Sequence, residues 1–397
     1  MLRANLKIRE WWEQFPSKLR LITKARLLAS IGAGGVIYLT PLIFNQINFS
    51  ASQIGIGIAS AALIGTFARI LIGILIDRGT NYLLPLKVTS ILVCIADLLL
   101  FNSYSFAGYL QGQLLIGLAA GLYWPAIEVG VSSCCGSFPS GKGYALARSA
   151  DALGISLGAL LGSIGAYAGL IRAVYITDIG CMFMFILIIS KPNLYKRTNK
   201  NIDLSKSESI GKLKTNNWII KIIPILLLSL IATTIFSLLQ SALPIDLARG
   251  TTIRAPLNEA WSSSLIAIQL GLLVIIQWPI GYWVSKKKLK FGLGISILNF
   301  GLGCFLIGIS AYIKQGVILI LLAQFPLAIG LASFLPTATE GIIREAPMQK
   351  KGFALALYSQ CFAISAFFAP LISGLVIDKF GNAIIVWTTM SAICFIA

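Results

Sequence analysis

The chain has 397 residues, of which 57% are hydrophobic and 12% are charged, whereas soluble domains carry about 25% charged residues. A soluble fold of this length needs polar surface for two or more domains. Long windows such as residues 54–76, in which Arg69 is the single charged residue, provide no such surface. The composition therefore excludes an ordinary soluble protein and predicts a membrane protein.

The net charge of +18, from 32 Lys and Arg against 14 Asp and Glu, raises nucleic-acid binding as an alternative. Its distribution argues against that alternative. With the N-terminus in the cytoplasm, most basic residues fall on cytoplasmic segments and span ends, which is typical of membrane topology. The charge predicts contact with anionic lipid headgroups and no nucleic-acid partner.

Apolar stretches long enough to cross a bilayer follow one another along the chain, since about 20 mainly apolar residues span about 30 Å as a helix. The last has 15 residues and is either a marginal span or one cut short. The basic stretch 1–25 precedes a full-length span with eleven more behind it, which argues against a cleaved signal peptide. The predicted spans are 26–45, 54–76, 83–101, 107–131, 146–168, 172–190, 219–243, 261–284, 291–312, 316–342, 354–376 and 383–397.

The longest polar segment, 191–218, divides the spans six and six and reads as a cytoplasmic linker. Landmarks recur across it at a nearly constant offset: Gly73 and Gly281 are 208 residues apart, Pro125 and Pro336 are 211 apart, and GYALA at 143 returns as GFALA at 352. Such self-similarity predicts a tandem repeat. We expect an all-α membrane protein with 12 transmembrane helices in two pseudo-symmetric bundles, 26–190 and 219–397.

Enzyme and cofactor signatures are missing from the sequence. The chain has no histidine, no H-E-x-x-H, no G-x-G-D and no G-x-x-x-x-G-K-[ST], so we expect neither an intramembrane enzyme nor an ATP-driven pump. Its seven cysteines have no metal spacing and predict no disulfide framework. No cofactor or metal is expected.

The stretch after the second span resembles the signature of the major facilitator superfamily, G-x-L-x-D-R-x-G-R-K. Gly73, Leu75, Asp77 and Arg78 match it, whereas residues 80–82 do not. The second copy keeps Gly281 but has a serine in place of the acid. Together with the span count, linker and repeat, the resemblance covers essentially the whole chain.

The resemblance implies a conformational latch formed by Gly73, Asp77 and Arg78. Gly73 would let helix 2 approach a neighbour closely. Asp77 would face the start of helix 11, whose N-terminus carries partial positive charge, and hold the outward-facing state. A solvated loop acid beside Arg78 is the alternative.

Two other family motifs are incomplete. The family often has an arginine on helix 4 that is linked to proton coupling, and here Gln113 takes its place. The exporter motif on helix 5 is retained only in its small residues, Gly154, Gly158, Ala159, Gly162 and Ser163. Ordinary small-residue packing explains that pattern equally well.

Ionisable residues inside the membrane are costly and therefore mark functional candidates. Arg69 predicts either substrate contact or pairing with an acid. Arg148 and Asp151, three apart on one helix, share a face and are expected to meet Glu128, as a structural network or as a proton site. The complete candidate set for coupling or ion pairing is Arg69, Asp97, Glu128, Arg148, Asp151, Asp178, Glu340 and Arg344.

In the family, helices 1, 4, 7 and 10 line the solute path. Polar or aromatic residues near mid-depth of these spans are therefore candidate path residues, with helix packing as the alternative for at least half of them. A mixed apolar and aromatic lining suits a lipophilic or weakly polar solute. The candidates are Tyr38, Tyr123, Trp124, Thr233, Thr234, Gln240, Gln324 and Phe334.

The sequence therefore predicts a secondary transporter that moves a small organic solute by alternating access, with proton-coupled efflux as the leading direction. Proton-linked or facilitated uptake is one alternative, and a non-transporting pigment- or lipid-binding scaffold of the same fold is another. The expected partners are the solute, protons and a bilayer with anionic lipids. The expected setting is the plasma membrane, as a multi-pass and monomeric protein.

Overall fold

The structure is a computed structural model that describes residues 10–195, 218–347 and 350–397. These residues are nearly all helical, which confirms the all-α prediction. Residues 1–9 and most of the predicted linker, 196–217, lie outside the described residues. A single helical turn, Pro192–Tyr195, follows the first six long helices.

Twelve long helices form the described chain, in the order and positions that the hydropathy pattern predicts. Side-chain caps begin several of them; Ser50 and Gln53, for example, form a reciprocal capping box at the start of α2. The helices are α1 Ser17–Gln46, α2 Ala51–Asp77, α3 Leu83–Asn102, α4 Phe106–Cys135, α5 Ser140–Tyr167, α6 Ala173–Ile189, α7 Trp218–Arg249, α8 Glu259–Ser285, α9 Leu289–Ser310, α10 Val317–Glu345, α11 Lys351–Phe380 and α12 Ile384–Ile396.

Several helices extend beyond the predicted spans. Helix α1 begins at Ser17 rather than at residue 26, and α7 continues to Arg249 rather than ending at residue 243. A hydropathy window ends where charges begin, whereas the backbone hydrogen bonds of a helix continue through charged residues. Ten of the described helices are long and apolar enough to cross a bilayer; α6 and α12 are shorter apolar helices.

The two sets of six helices have the same internal arrangement. In the first, α1 packs on α5, α2 on α4, and α3 on both α4 and α6; in the second, α7 packs on α11, α8 on α10, and α9 on both α10 and α12. Between the sets, α2 packs on α11 and α8 packs on α5, which is the same contact repeated. Pairwise equivalence of this kind is expected of two halves related by a pseudo-twofold axis.

The halves meet at one face of the molecule and part at the other. We call the face where α1 begins and α6 ends the linker face, and the opposite one the far face. Towards the far face, a Cβ on Gly55 or Gly374 would overlap the backbone of the other half, and Ser163 hydrogen-bonds Ser264 at 2.8 Å. Towards the linker face, Gly73 has no atom within 4 Å of such a Cβ. The same helix α2 is therefore packed at one end and open at the other.

Candidate functional site

A charged cluster joins the two halves at the far face. Asp378, near the end of α11, accepts hydrogen bonds from the backbone N–H groups of Ala51 (2.8 Å) and Ser52 (2.7 Å), the first residues of α2. Arg249, at the end of α7, donates to the same carboxylate at 3.0 Å and to the Asn45 side chain at 2.9 Å. The carboxylate therefore caps the positive end of a helix from the opposite half.

The linker face lacks a matching closure. Asp77 at the end of α2 is exposed and makes no hydrogen bond or ion pair with any described residue. In the second half, Gly281 at the end of α8 has open space where a side chain would be. Arg148 has 64% of its side chain exposed. The two halves are therefore less closely joined towards the linker face.

An ion cluster lies in the linker-side half of the first bundle. Arg26 on α1 is completely buried and binds Asp151 of α5 through two bonds, of 2.7 and 2.5 Å. The same guanidinium donates to Glu128 of α4 at 3.0 Å and lies over the ring of Trp124, 5.6 Å from its centroid. Paired bonds from Arg to a carboxylate are among the strongest in proteins, so Arg26 ties three helices together.

Glu128, Arg148 and Asp151, which were predicted to meet, lie in this one cluster. Arg148 approaches Glu128 at 3.6 Å, but Asp151 bonds Arg26 and Ser30 instead of Arg148. The geometric reason for this pairing is that Asp151 is buried in the helix interface, whereas Arg148 has 64% of its side chain exposed.

Small residues on α5 make this pairing possible. A Cβ on Gly154 would meet Ser30 and the carbonyl of Leu27, and a Cβ on Gly158 would overlap the backbone of Ile31. These glycines let α1 and α5 approach until their backbones touch. These small residues, which match part of the exporter motif, therefore bring Arg26 within reach of Asp151.

The remaining ionisable candidates have different surroundings. Asp97 on α3 and Asp178 on α6 are both buried and lie beside each other. Arg69 on α2 has no acidic partner in the described chain, and its buried Nε makes no hydrogen bond. Glu340 and Arg344 of α10 form no ion pair with each other within the described ranges.

Comparison with known proteins identifies the family. The family model described as Major Facilitator Superfamily matches residues 22–298. The chain belongs to the major facilitator superfamily. This is a family of membrane transporters, and the protein is accordingly an integral, multi-pass membrane protein.

Among curated relatives, "Multidrug resistance protein MdtG" of Escherichia fergusonii is 30% identical over 196 residues, covering 49% of this chain and 46% of the relative. The protein of the same name from Salmonella paratyphi A is 32% identical over 164 residues, covering 41% of this chain and 39% of the relative. The matched stretch thus spans less than half the length of these relatives.

Solved structures share the fold. The nucleoside transporter NupG has a TM-score of 0.76 at 12% identity, covering 96% of this chain and 97% of that one. A POT family transporter in complex with 5-aminolevulinic acid has a TM-score of 0.77 at 14% identity, covering 96% of this chain and 94% of that one. These likenesses establish the twelve-helix architecture.

The latch that the superfamily resemblance implies for Gly73, Asp77 and Arg78 is not closed in this conformation. All three residues lie where the halves have parted, and the predicted close approach at Gly73 is absent. A latch between α2 and the start of α11 requires the linker face to close. Its role in that other conformation stays a prediction.

The path candidates in the first half fall into two groups, those that are exposed or contact the second half and one that packs inside the first bundle. Tyr38 of α1 reaches across to Gln240 of α7 at 3.4 Å, so this predicted pair lies where the halves meet. Trp124 is 37% exposed. Tyr123 instead packs between Trp124 and Phe185 inside the first bundle, with ring centroids 5.5 and 6.1 Å away.

Candidates in the second half are mostly turned into their own bundle. Thr233 and Thr234 both hydrogen-bond Ser365 of α11, at 2.8 and 3.0 Å. Gln324 is fully buried and donates to its own helix. Phe334 is also buried, between the rings of α9 and α11, so in this conformation it packs inside its own bundle.

Sequence reasoning missed the residues that carry the strongest ionic contacts. Arg26 falls at the edge of its predicted span, and Arg249 and Asp378 lie just beyond theirs, where charges are usually solvated. Asp246 and Arg254 were also missed; they form a buried pair at 3.1 Å near the far face. The sequence did give one signal for these residues, which is their position. Each lies in or beside a helix that continues beyond its apolar stretch.

Proposed function

We propose that this chain exports a small organic solute by alternating access, in exchange for protons. The observation that supports it best is the asymmetry of the two faces. The far face is closed by Asp378 and Arg249 together with close helix packing, while the linker face is parted. A transporter built from two repeats takes up solute through such an opening and releases it after the halves rock.

The charge distribution in the opening supports a lipophilic or weakly polar solute. Arg26 and Arg148 are matched by Asp151 and Glu128, so the cluster has no net formal charge. Trp124 offers an aromatic surface beside Glu128, whose side chain is 27% exposed. Pockets of this kind, apolar with a few placed polar groups, suit drug-sized organic molecules.

Orientation follows from the distribution of basic residues. Cytoplasmic loops retain an excess of Lys and Arg, and the basic segment 191–218 follows α6, which ends at the linker face. We therefore propose that the linker face lies in the cytoplasm and that anionic lipids contact its basic rim. The plasma membrane as the setting and the monomeric state remain part of the proposal. Export is further supported by the relatives, which are named multidrug resistance proteins.

The proposal is tested in inside-out membrane vesicles with a lipophilic cationic dye and a neutral lipophilic dye. Acidifying the vesicle lumen is expected to drive dye into the lumen, and an uncoupler is expected to abolish the uptake. Accumulation only in right-side-out vesicles would establish import. Dye movement that ignores the pH difference would refute proton exchange.

A pair of glutamate variants tests the site itself. Glu128→Gln removes one carboxylate from Arg26 and is expected to lower the rate of dye uptake. Glu340→Gln, on the corresponding helix of the second half, removes a carboxylate that makes no ion pair in the described chain and is expected to change the rate less. If both variants lose the same fraction of the dye-uptake rate, the ion cluster around Arg26 is not part of the proposed solute path.

A further inference from the structure

Two carboxyl groups face each other inside the first bundle, away from the opening between the halves. Asp97 of α3 is 0% exposed and Asp178 of α6 is 2% exposed, and their carboxyl groups lie within interacting distance of each other. Each stands five residues from the far-face end of its helix, which is about 8 Å along the axis.

Neither carboxyl has a partner that explains its burial. Both oxygens of Asp97 and Oδ1 of Asp178 are shielded from solvent and make no hydrogen bond. Neither residue is in an ion pair with a described Lys or Arg. Buried charges without partners are strongly unfavourable, so something not yet accounted for must balance this pair.

The groups that surround the pair are neutral or already engaged. Cys94 is on α3 itself, and α6 adds Cys181. Tyr175 of α6 bonds Thr40 of α1 at 3.1 Å. Arg172, a cation that interacts with Tyr175, donates hydrogen bonds to the carbonyls of residues 101 and 103. On α4, the residue beside this part of α3 is a glycine, at position 112.

A shared proton resolves the arrangement. An ionised carboxylate only accepts hydrogen bonds, whereas a protonated carboxyl has one O–H to donate. With one proton between them, one carboxyl donates to the other and the repulsion of two adjacent negative charges is removed. A hard metal cation fits less well, because it takes about six or more oxygen ligands and the pair has three free oxygens.

We propose that Asp97 and Asp178 form a proton-binding site that holds one shared proton in this conformation. The inference rests on the proposed proton exchange and assigns the proton to a place separate from the solute opening.

Helix α1 gives the site a physical connection to the rocking motion. A Cβ on Gly32 of α1 would overlap Oδ1 of Asp178, so the carboxyl lies directly on the α1 backbone. The same helix carries Tyr38, which contacts the second half, and Arg26, which anchors the ion cluster. When α1 shifts between conformations, the surroundings of Asp178 must change with it, and so must its affinity for the proton.

Infrared spectroscopy of the full chain in lipid tests the site without any solute. At neutral pH the wild type is expected to show the carbonyl stretch of a buried protonated carboxyl group. That band should be absent from Asp97→Asn and from Asp178→Asn, because an amide N–H then donates to the remaining carboxylate. Glu259→Gln, a far-face acid outside both sites, should retain it. Lack of the band in the wild type would overturn the proposal.

Transport measurements separate this site from the proposed function. In proteoliposomes, both variants are expected to retain dye counterflow, which needs no net proton movement, while pH-driven dye accumulation falls to the level of protein-free liposomes. If accumulation in the variants equals that of the wild type, or follows a sodium gradient instead, the proton site is refuted. If no dye moves in any protein but the band is present, the proposed function fails and the site stands.

A double variant guards against loss of folding. Asp97→Asn combined with Asp178→Asn keeps the size of both side chains and lets the two amides hydrogen-bond each other. It should fold, lack the infrared band and lack pH-driven accumulation. Accumulation at the wild-type level in this variant would also overturn the proposal.

Discussion

The closure at the far face predicts that Asp378→Asn shifts the protein towards its other conformation. The carboxylate accepts two backbone bonds from the start of α2 and one from Arg249. Asparagine has nearly the same shape but lacks the charge and one of the two acceptor oxygens. The far-face-closed state therefore loses stabilisation that the far-face-open state never had.

The magnitude follows from the contacts. Hydrogen bonds to a charged group contribute about 1.5–3 kcal/mol each, a partly exposed ion pair contributes under about 1 kcal/mol, and the charge at a helix N-terminus contributes about 0.3–1 kcal/mol. Because asparagine retains one acceptor, we expect a net loss of about 2 kcal/mol. This corresponds to about a 30-fold change in the equilibrium between the two conformations.

Pulsed electron–electron resonance between spin labels measures this change. One pair is placed on exposed far-face positions in the two halves, Leu170 and Tyr312, and a second pair on linker-face positions, Arg78 and Lys287. The labels require a background without the seven native cysteines. In Asp378→Asn the far-face distance should lengthen and the linker-face distance should shorten.

A matched variant controls for the loss of a surface acid. Glu259 begins α8 on the same face, and its side chain forms no ion pair within the described structure. Glu259→Gln should leave both distance distributions as in the wild type. If Asp378→Asn does the same, the reasoning that assigns closure of the far face to this carboxylate is refuted.

Three further predictions concern other contacts. Gly55→Val should open the far face, because its side chain would overlap the backbone of α11, whereas Gly73→Val should leave the present conformation intact; the same spin-label distances report both. Asp151→Asn should lower the free energy of unfolding by about 3 kcal/mol, since it leaves the buried Arg26 without one of its charged partners. Thermal unfolding in detergent should then show a lower midpoint. An unchanged midpoint contradicts the stabilising role of this ion pair. Asp77→Asn should leave the far-face distance unchanged under conditions that favour the present conformation. When solute is added, it should reduce the population in which the linker face is closed. If that population does not change, Asp77 is not part of the latch.

Much of the architecture is already present in local sequence. Twelve apolar stretches, a polar segment in the middle and landmarks repeated about 209 residues apart are enough to predict two six-helix halves. Lipid requires every backbone polar group to be satisfied within a helix, so hydropathy alone predicts span order. Span ends were less accurate, as α1 and α7 show, because charged residues continue a helix without adding hydropathy.

The partners of the buried charges required the tertiary structure. Sequence spacing predicted Arg148 beside Asp151, yet the structure pairs Asp151 with Arg26, 125 residues away. No local pattern links these two positions, since their meeting depends on how closely α1 and α5 pack.

The sequence by itself determined the class of protein, the number and order of its helices and their duplication, because these depend on the free energy of moving each segment into lipid. Only the tertiary structure decided that the halves are closed at the far face, that Asp378 caps a helix of the other half, and that Asp97 lies beside Asp178. Those facts depend on the relative positions of helices that are distant in the chain, which hydropathy and periodicity do not encode.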